Sequence, residues 1–201
     1  MKLLYANASP YARKVRVVIA EKALTGIEQI AVNPFDLPDA LVAANPLSKV
    51  PALILDDGAA LFDSPVICEY LDSLGTSNQL IPASGSARWD VLRRQALTDG
   101  MLDATFAIAC ETNRRPEHER SPDWIKRWVA SINRSLAVLE REIVNFGGDV
   151  TLAHIGAGCA LSYLDLRASM LVDWRRDFPS LATWQSVFEA RPSMQSTQVS
   201  A

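Results

Sequence analysis

The sequence predicts a mixed α/β unit followed by an all-helical one. Strand and helix patterns alternate through residues 1–75 in the order βαβαββα. A stretch rich in turn residues, Thr76 to Ser86 (TSNQLIPASGS), comes next and reads as a linker. Beyond it strand alternation stops and apolar residues recur only at helical steps. The domains are therefore placed at 1–75 and 87–201, with 76–86 between them. A chain of 201 residues with 49% apolar content has enough material for one large or two small cores.

The first strand is the apolar run at 2–6. A helix from about 11 to 24 follows, with Val15, Val18, Ile19 and Ala20 near the 3.6-residue period. Ser9 falls at the turn between them. A hydroxyl there, with Pro10 beside it at a position that needs no amide donor, reads as a helix N-cap. That turn also gathers free amides and the positive end of the helix dipole, where an anion such as a thiolate is stabilised. A strand at 28–32, a short helical turn near 38–44, strands at 51–55 and 59–62 and a helix at 65–74 complete the unit. Asp56-Asp57-Gly58 joins the last two strands, and glycine's tolerance of positive φ argues for a hairpin.

In the second half, Trp89, Leu92 and Ala96 open a helix flanked by a stripe of Leu97, Met101, Ala104 and Ile108. Trp124, Trp128, Ile132, Leu136, Leu139 and Ile143 mark another, capped by Ser121 with Pro122 in its first turn. Both stripes are expected to be core. Residues 153–166 are apolar nearly all round, which predicts a buried central helix. It opens at Thr151 with a Val150 to Ile155 staple and His154 three residues on. A neutral imidazole there accepts from the Thr151 amide, whereas a charged one does not, so a structural role is assigned to His154.

Composition excludes several classes. Twenty basic against 23 acidic residues give a net charge of −3, without the broad positive footprint of a nucleic-acid binder. No apolar run approaches the ~18 residues that span a bilayer, and Met1 to Ala6 is too short for a signal peptide, so a cytoplasmic protein is expected. Cys68, Cys110 and Cys159 have neither disulfide-framework nor zinc spacing and are read as reduced core residues; no metal site is expected. Arg13, Lys14 and Arg16 read as a solvated helix face. Asp99 and Asp103, one turn apart, are either an acidic surface or a reach toward a ligand.

Two further segments carry candidate chemistry. Lys49-Val50-Pro51-Ala52-Leu53 puts Pro51 at a strand start, where a missing donor is tolerated. Either this is a trans loop proline, or a cis bond turns the Val50 amide and carbonyl toward a ligand as a short ladder. Asp63-Ser64-Pro65 is an ordinary N-cap, and the same carboxylate, hydroxyl and amides suit both charges of an amino-acid group.

SPYARKVR, NPLSKVPAL, LFDSPVICEYL, a helical half with DVTLAHIGAGCAL and a closing RPS together resemble the bacterial cytosolic glutathione S-transferases over essentially the whole chain. The resemblance implies a thioredoxin-like glutathione-binding domain followed by an α-helical domain that forms the electrophile site, assembled as a homodimer. It implies that Ser9 supports the glutathione thiolate and that Val50, before Pro51, pairs with the cysteinyl backbone. Lys49 would approach the glycyl carboxylate, and Asp63 with Ser64 would hold the γ-glutamyl group. Asp99 is a candidate for reaching the neighbouring subunit's γ-glutamyl ammonium. Many relatives have glutamate at the position of Asp63, and most have aspartate at that of His154. Glutathione is then a co-substrate, with a hydrophobic electrophile as its partner and no other cofactor. Tyr5 is a rival hydroxyl that reads as a strand residue. Serine at position 9 forms no mixed disulfide, so conjugation is preferred over reductase chemistry. A glutathione-dependent peroxidase or isomerase and a non-catalytic interaction or regulatory protein of the same fold remain the alternatives.

Overall fold

A computed structural model describes residues 1–75 and 79–198. Within them the chain divides into two compact units, Met1–Val91 with Pro192–Ala201, and Leu92–Arg191. The sequence reading put the final segment with the helical half. Residues 76–78 of the expected linker lie outside the described residues.

The first unit holds β1 (Lys2–Tyr5), α1 (Pro10–Glu21), β2 (Glu28–Ala31), α2 (Asp39–Ala44), β3 (Ala52–Ile54), β4 (Ala60–Leu61) and α3 (Ser64–Ser73), with a 3-10 turn at Pro34–Asp36 that the sequence reading did not place. The sheet order is β2-β1-β3-β4. β1 runs parallel to β2, pairing Leu4 with Ile30, and antiparallel to β3, pairing Leu4 with Ala52; β3 and β4 are antiparallel, with Leu53 opposite Leu61. Leu3 and Leu4 point to opposite faces and both are buried, so both faces of the sheet are covered. Leu4 and Ala52 join Leu41 and Ala44 of α2 in one cluster, and α1 packs against α3. The hairpin at Asp56-Asp57-Gly58 closes through the Leu55 amide on the Ala59 carbonyl at 2.8 Å, with Gly58 at φ 87.

Two features of this unit differ from the expected solvated α1 face. Arg13 and Lys14 are 2% and 0% exposed. Arg13 Nη2 donates to the Met194 carbonyl at 3.0 Å, and Ser193 Oγ bonds Glu21, so the carboxy-terminal turn α9 (Pro192–Gln195) covers α1. At the other end of α1, Lys22 Nζ donates to the Asp72 carboxylate at 3.0 Å and to its carbonyl at 2.7 Å. The same carboxylate accepts from the amides of Leu80 and Ile81 at 2.8 and 2.9 Å.

Five helices follow: α4 (Gly85–Asn113), α5 (Pro122–Ile143), α6 (Leu152–Arg167), α7 (Trp174–Asp177) and α8 (Pro179–Glu189). The unit boundary falls within α4. Met101, Ile108, Ile132, Leu136, Leu139 and Leu161 are part of one buried cluster, as the stripes predicted, but Trp89 and Trp124 at the stripe beginnings are exposed. α6 is buried along nearly its whole length. It lies close to α4 at Gly156, where a Cβ would come within 2.6 Å of Thr98 Oγ1. Glu140 of α5 accepts from the first amides of α8, Ser180 and Leu181, at 2.9 and 2.8 Å. Burial works to raise its pKa, but these bonds win and hold it below the ordinary carboxylate range. Cys68 and Cys159 are buried and Cys110 is only half-buried. Among the described residues no helix is long and apolar enough to cross a membrane.

Candidate functional site

The register of the sheet brings three sequence-predicted segments to one end. β1 leaves at Tyr5 beside the point where β3 begins, and β4, antiparallel to β3, also leaves there. The turn before α1, the Val50-Pro51 segment before β3 and the turn before α3 therefore share one edge of the first unit. Both helices start from that edge, so both positive dipole ends face it.

Ser9 occupies the N-cap of α1 with φ −86 and ψ 116. Its own amide donates to the Ala6 carbonyl at 3.0 Å, and its carbonyl accepts the Arg13 amide at 2.9 Å. Its Oγ accepts the Ala12 amide at 3.2 Å. The hydroxyl thus spends a lone pair on the helix and keeps its O–H as a donor. Tyr5 is held differently. Its ring lies beneath the Arg16 guanidinium, 4.5 Å from the centroid, as a strand side chain would.

Before β3, buried Asn45 organises the loop. Its Nδ2 donates to the Lys49 carbonyl at 2.9 Å and its Oδ1 accepts the Leu47 amide at 3.0 Å, while Ser48 sits at φ 51. Lys49 is exposed and Val50 half-buried. The Val50-Pro51 bond is cis. Neither the amide nor the carbonyl of Val50 has a hydrogen-bond partner among the described residues. Sequence reading missed Asn45; its signal was the Asn45-Pro46 dipeptide, a turn initiator.

Asp63 stands at the N-cap of α3, and its carbonyl accepts the Ile67 amide at 3.0 Å. Its exposed carboxylate makes no capping bond, unlike the Ser9 hydroxyl. The next residue, Ser64, is 1% exposed, and its Oγ has no hydrogen-bond partner among the described residues. Such a hydroxyl costs about 1–3 kcal/mol unless a ligand group pairs with it. Asp99 and Asp103 lie on α4 in the second unit, the first half-buried and the second exposed.

The comparisons with known proteins identify the family. Residues 8–74 match the glutathione S-transferase N-terminal domain and residues 122–184 the glutathione S-transferase C-terminal domain. The uncharacterised GST-like protein YibF of Escherichia coli K12 is 33% identical over 201 residues, 98% of each chain. A glutathione transferase family member from Pseudomonas fluorescens Pf-5, solved with bound glutathione, superposes with a TM-score of 0.95 at 41% identity, over 100% of this chain and 99% of that one. A glutathione S-transferase from Methylobacillus flagellatus KT, solved with glutathione bound, gives 0.92 at 39% identity over 99% of each. The chain thus shares the two-domain fold of these proteins, a mixed four-stranded sheet with helices followed by a helical region. The chain belongs to the glutathione S-transferase family and is a glutathione transferase.

Proposed function

We propose that this chain binds glutathione along the edge formed by Ser9, Val50 and Asp63, holds its sulfur as a thiolate, and conjugates it to a hydrophobic electrophile. A free thiol titrates near ~8.5, so little of it is ionised at neutral pH. Lowering that by about 2 units takes about 2.7 kcal/mol, within reach of one charge-assisted hydroxyl bond together with the α1 dipole. The observation that carries the reading is the Ser9 hydroxyl at the α1 N-cap, which accepts from Ala12 and keeps its O–H to donate. The thiolate sulfur then attacks an electrophilic carbon; the new S–C bond replaces the bond to the leaving group, which departs with its electron pair.

The other residues bind. The Val50 amide and carbonyl pair with the cysteinyl backbone, and exposed Lys49 meets the glycyl carboxylate. The Asp63 carboxylate takes the γ-glutamyl ammonium, while Ser64 Oγ and the α3 amides take its carboxylate. The protein is placed in the cytoplasm as a homodimer, with Asp99 reaching the partner's γ-glutamyl ammonium and glutathione as co-substrate.

Retention on immobilised glutathione followed by pH-rate profiles against a panel of electrophiles tests the reading. Ser9→Ala is expected to lose roughly 10- to 150-fold in turnover at neutral pH, the worth of one charge-assisted bond, and to recover as rising pH ionises the thiol unaided. Asp63→Ala and Ser64→Ala should instead weaken glutathione affinity about tenfold with the thiol's titration unmoved. A larger loss for Tyr5→Phe, with Ser9→Ala unaffected, would make Tyr5 the activator.

A further inference from the structure

Half-way along α1 the helix surface turns from the glutathione edge to something else. Arg16 and Ala20, one turn apart on α1, line an open groove of about 470 Å³ with Ala23 and Leu24, which follow the helix end, and Gln29 of β2 and Thr197 after α9 wall it. All of it lies in the first unit. None of the residues assigned to glutathione borders it.

The groove's chemistry is polarised. Arg16 is the one charged side chain in its lining among the described residues. Its Nε donates to Gln29 Oε1 at 3.0 Å and its plane rests on the Tyr5 ring, yet its two terminal nitrogens meet no acceptor among the described residues. Burial pulls this guanidinium below its ordinary range; the Tyr5 hydroxyl opposes the shift and the nearby Arg13 cation adds to it. An anion set against the open edge of the guanidinium would relieve both unfavourable effects. Farther along, the groove is lined by the small apolar side chains of Ala20 and Ala23 and by Leu24.

We infer that this groove is a second ligand site, for an elongated apolar molecule ending in a carboxylate. The carboxylate takes the two terminal nitrogens of Arg16, the bidentate pairing that a guanidinium favours. The chain lies along Ala20, Ala23 and Leu24, the apolar lining beyond Arg16. A single cation beside a neutral amide suits a monoanion and leaves a phosphate dianion half unpaired. The volume falls within the range of small-molecule sites. A medium-chain acyl carboxylate meets each of these terms.

Decanoate, with decanol as its neutral isostere, tests this on the full chain. Nitrogen-resolved NMR titration with decanoate is expected to move the backbone signals of Ala20, Ala23 and Gln29 together with the Arg16 side-chain signal. Arg16→Gln should weaken decanoate binding about tenfold, the loss of one charge-assisted contact, with turnover of glutathione unchanged. Arg16→Lys, keeping charge but losing the fork, should fall between the two. Decanol should bind more weakly than decanoate to the unaltered protein. The inference is overturned if the signals that move lie outside the groove, if Arg16→Gln binds decanoate within twofold of the unaltered protein, or if decanol binds as tightly.

Discussion

His154 ties a local helix start to the solution pH. Its Nδ1 accepts the Thr151 amide at 3.1 Å and lies 2.9 Å from the Thr151 hydroxyl, so that nitrogen carries no proton. Phe146, Trp184 and Phe188 surround it at centroid distances of 4.8, 6.3 and 6.3 Å. Burial is the main force lowering its pKa; the Phe146 backbone opposes this, and the Arg94 and Arg191 cations reinforce it. Because the folded value lies below the ordinary ~6.5, the unfolded chain takes up the proton first as pH falls. The contribution is intact above ~6.5 and drains away below it, at no more than about 1.4 kcal/mol per pH unit for one proton. Thermal unfolding followed from pH 7.5 downward should show this loss, and His154→Gln, which keeps an acceptor but does not titrate, should flatten it. The neutral-acceptor role was legible from Thr151 and His154 alone, as were the places of Ser9, Val50 and Asp63 at the starts of α1, β3 and α3, where a helix or strand must begin. Arg13 and Lys14 were not. Their charge argued for solvent, and what buries Arg13 is a segment 181 positions away.

Between α1 and α3, the Lys22 and Asp72 pair decides how the two helices that open at the edge holding Ser9, Val50 and Asp63 are held at their far ends. Both side chains are almost wholly buried, at 1% and 7% exposure. Removing one partner leaves a charge in the interior, which typically costs 3–5 kcal/mol. Lys22→Met and Asp72→Leu are each expected to lower stability by about that much in urea unfolding, and the double variant by clearly less than their sum. Asp72→Leu should cost the more, since it also strands the Leu80 and Ile81 amides. Helices with their own start signals were legible in the sequence: Ser9-Pro10 opens α1, Ser64-Pro65 opens α3 and Ser121-Pro122 opens α5. α8 was not, since Phe178 at its N-cap offers no hydroxyl and the acceptor for its first amides is Glu140, forty residues upstream. α7 and α9, at four residues each, are too short for any period to declare itself. The apolar stripes of α4 and α5 ran true in their middles, yet periodicity gave no warning that their opening tryptophans stay in solvent.

The proposed pairing of subunits belongs to the whole molecule. Sedimentation at micromolar concentration is expected to find two copies, and Asp99→Asn to weaken glutathione binding several-fold without moving the thiol's titration. A monomer that binds glutathione undiminished would overturn both. The two-unit plan was legible because strand alternation stops where the turn-rich stretch begins; that the last described residues return to the first unit was not, since nothing local to Pro192 announces it. The return has a consequence for how the chain comes into being. Arg13 and the Met194 carbonyl are 181 residues apart, so at a ribosome's ~5–20 residues per second roughly ten to forty seconds pass between the making of one and the other. During that interval α1 has emerged, yet Arg13 lacks its carbonyl and Glu21 lacks the Ser193 hydroxyl. The unit begun first is therefore completed only after the helical unit, Leu92–Arg191, which is continuous in sequence and has all its residues before its predecessor does.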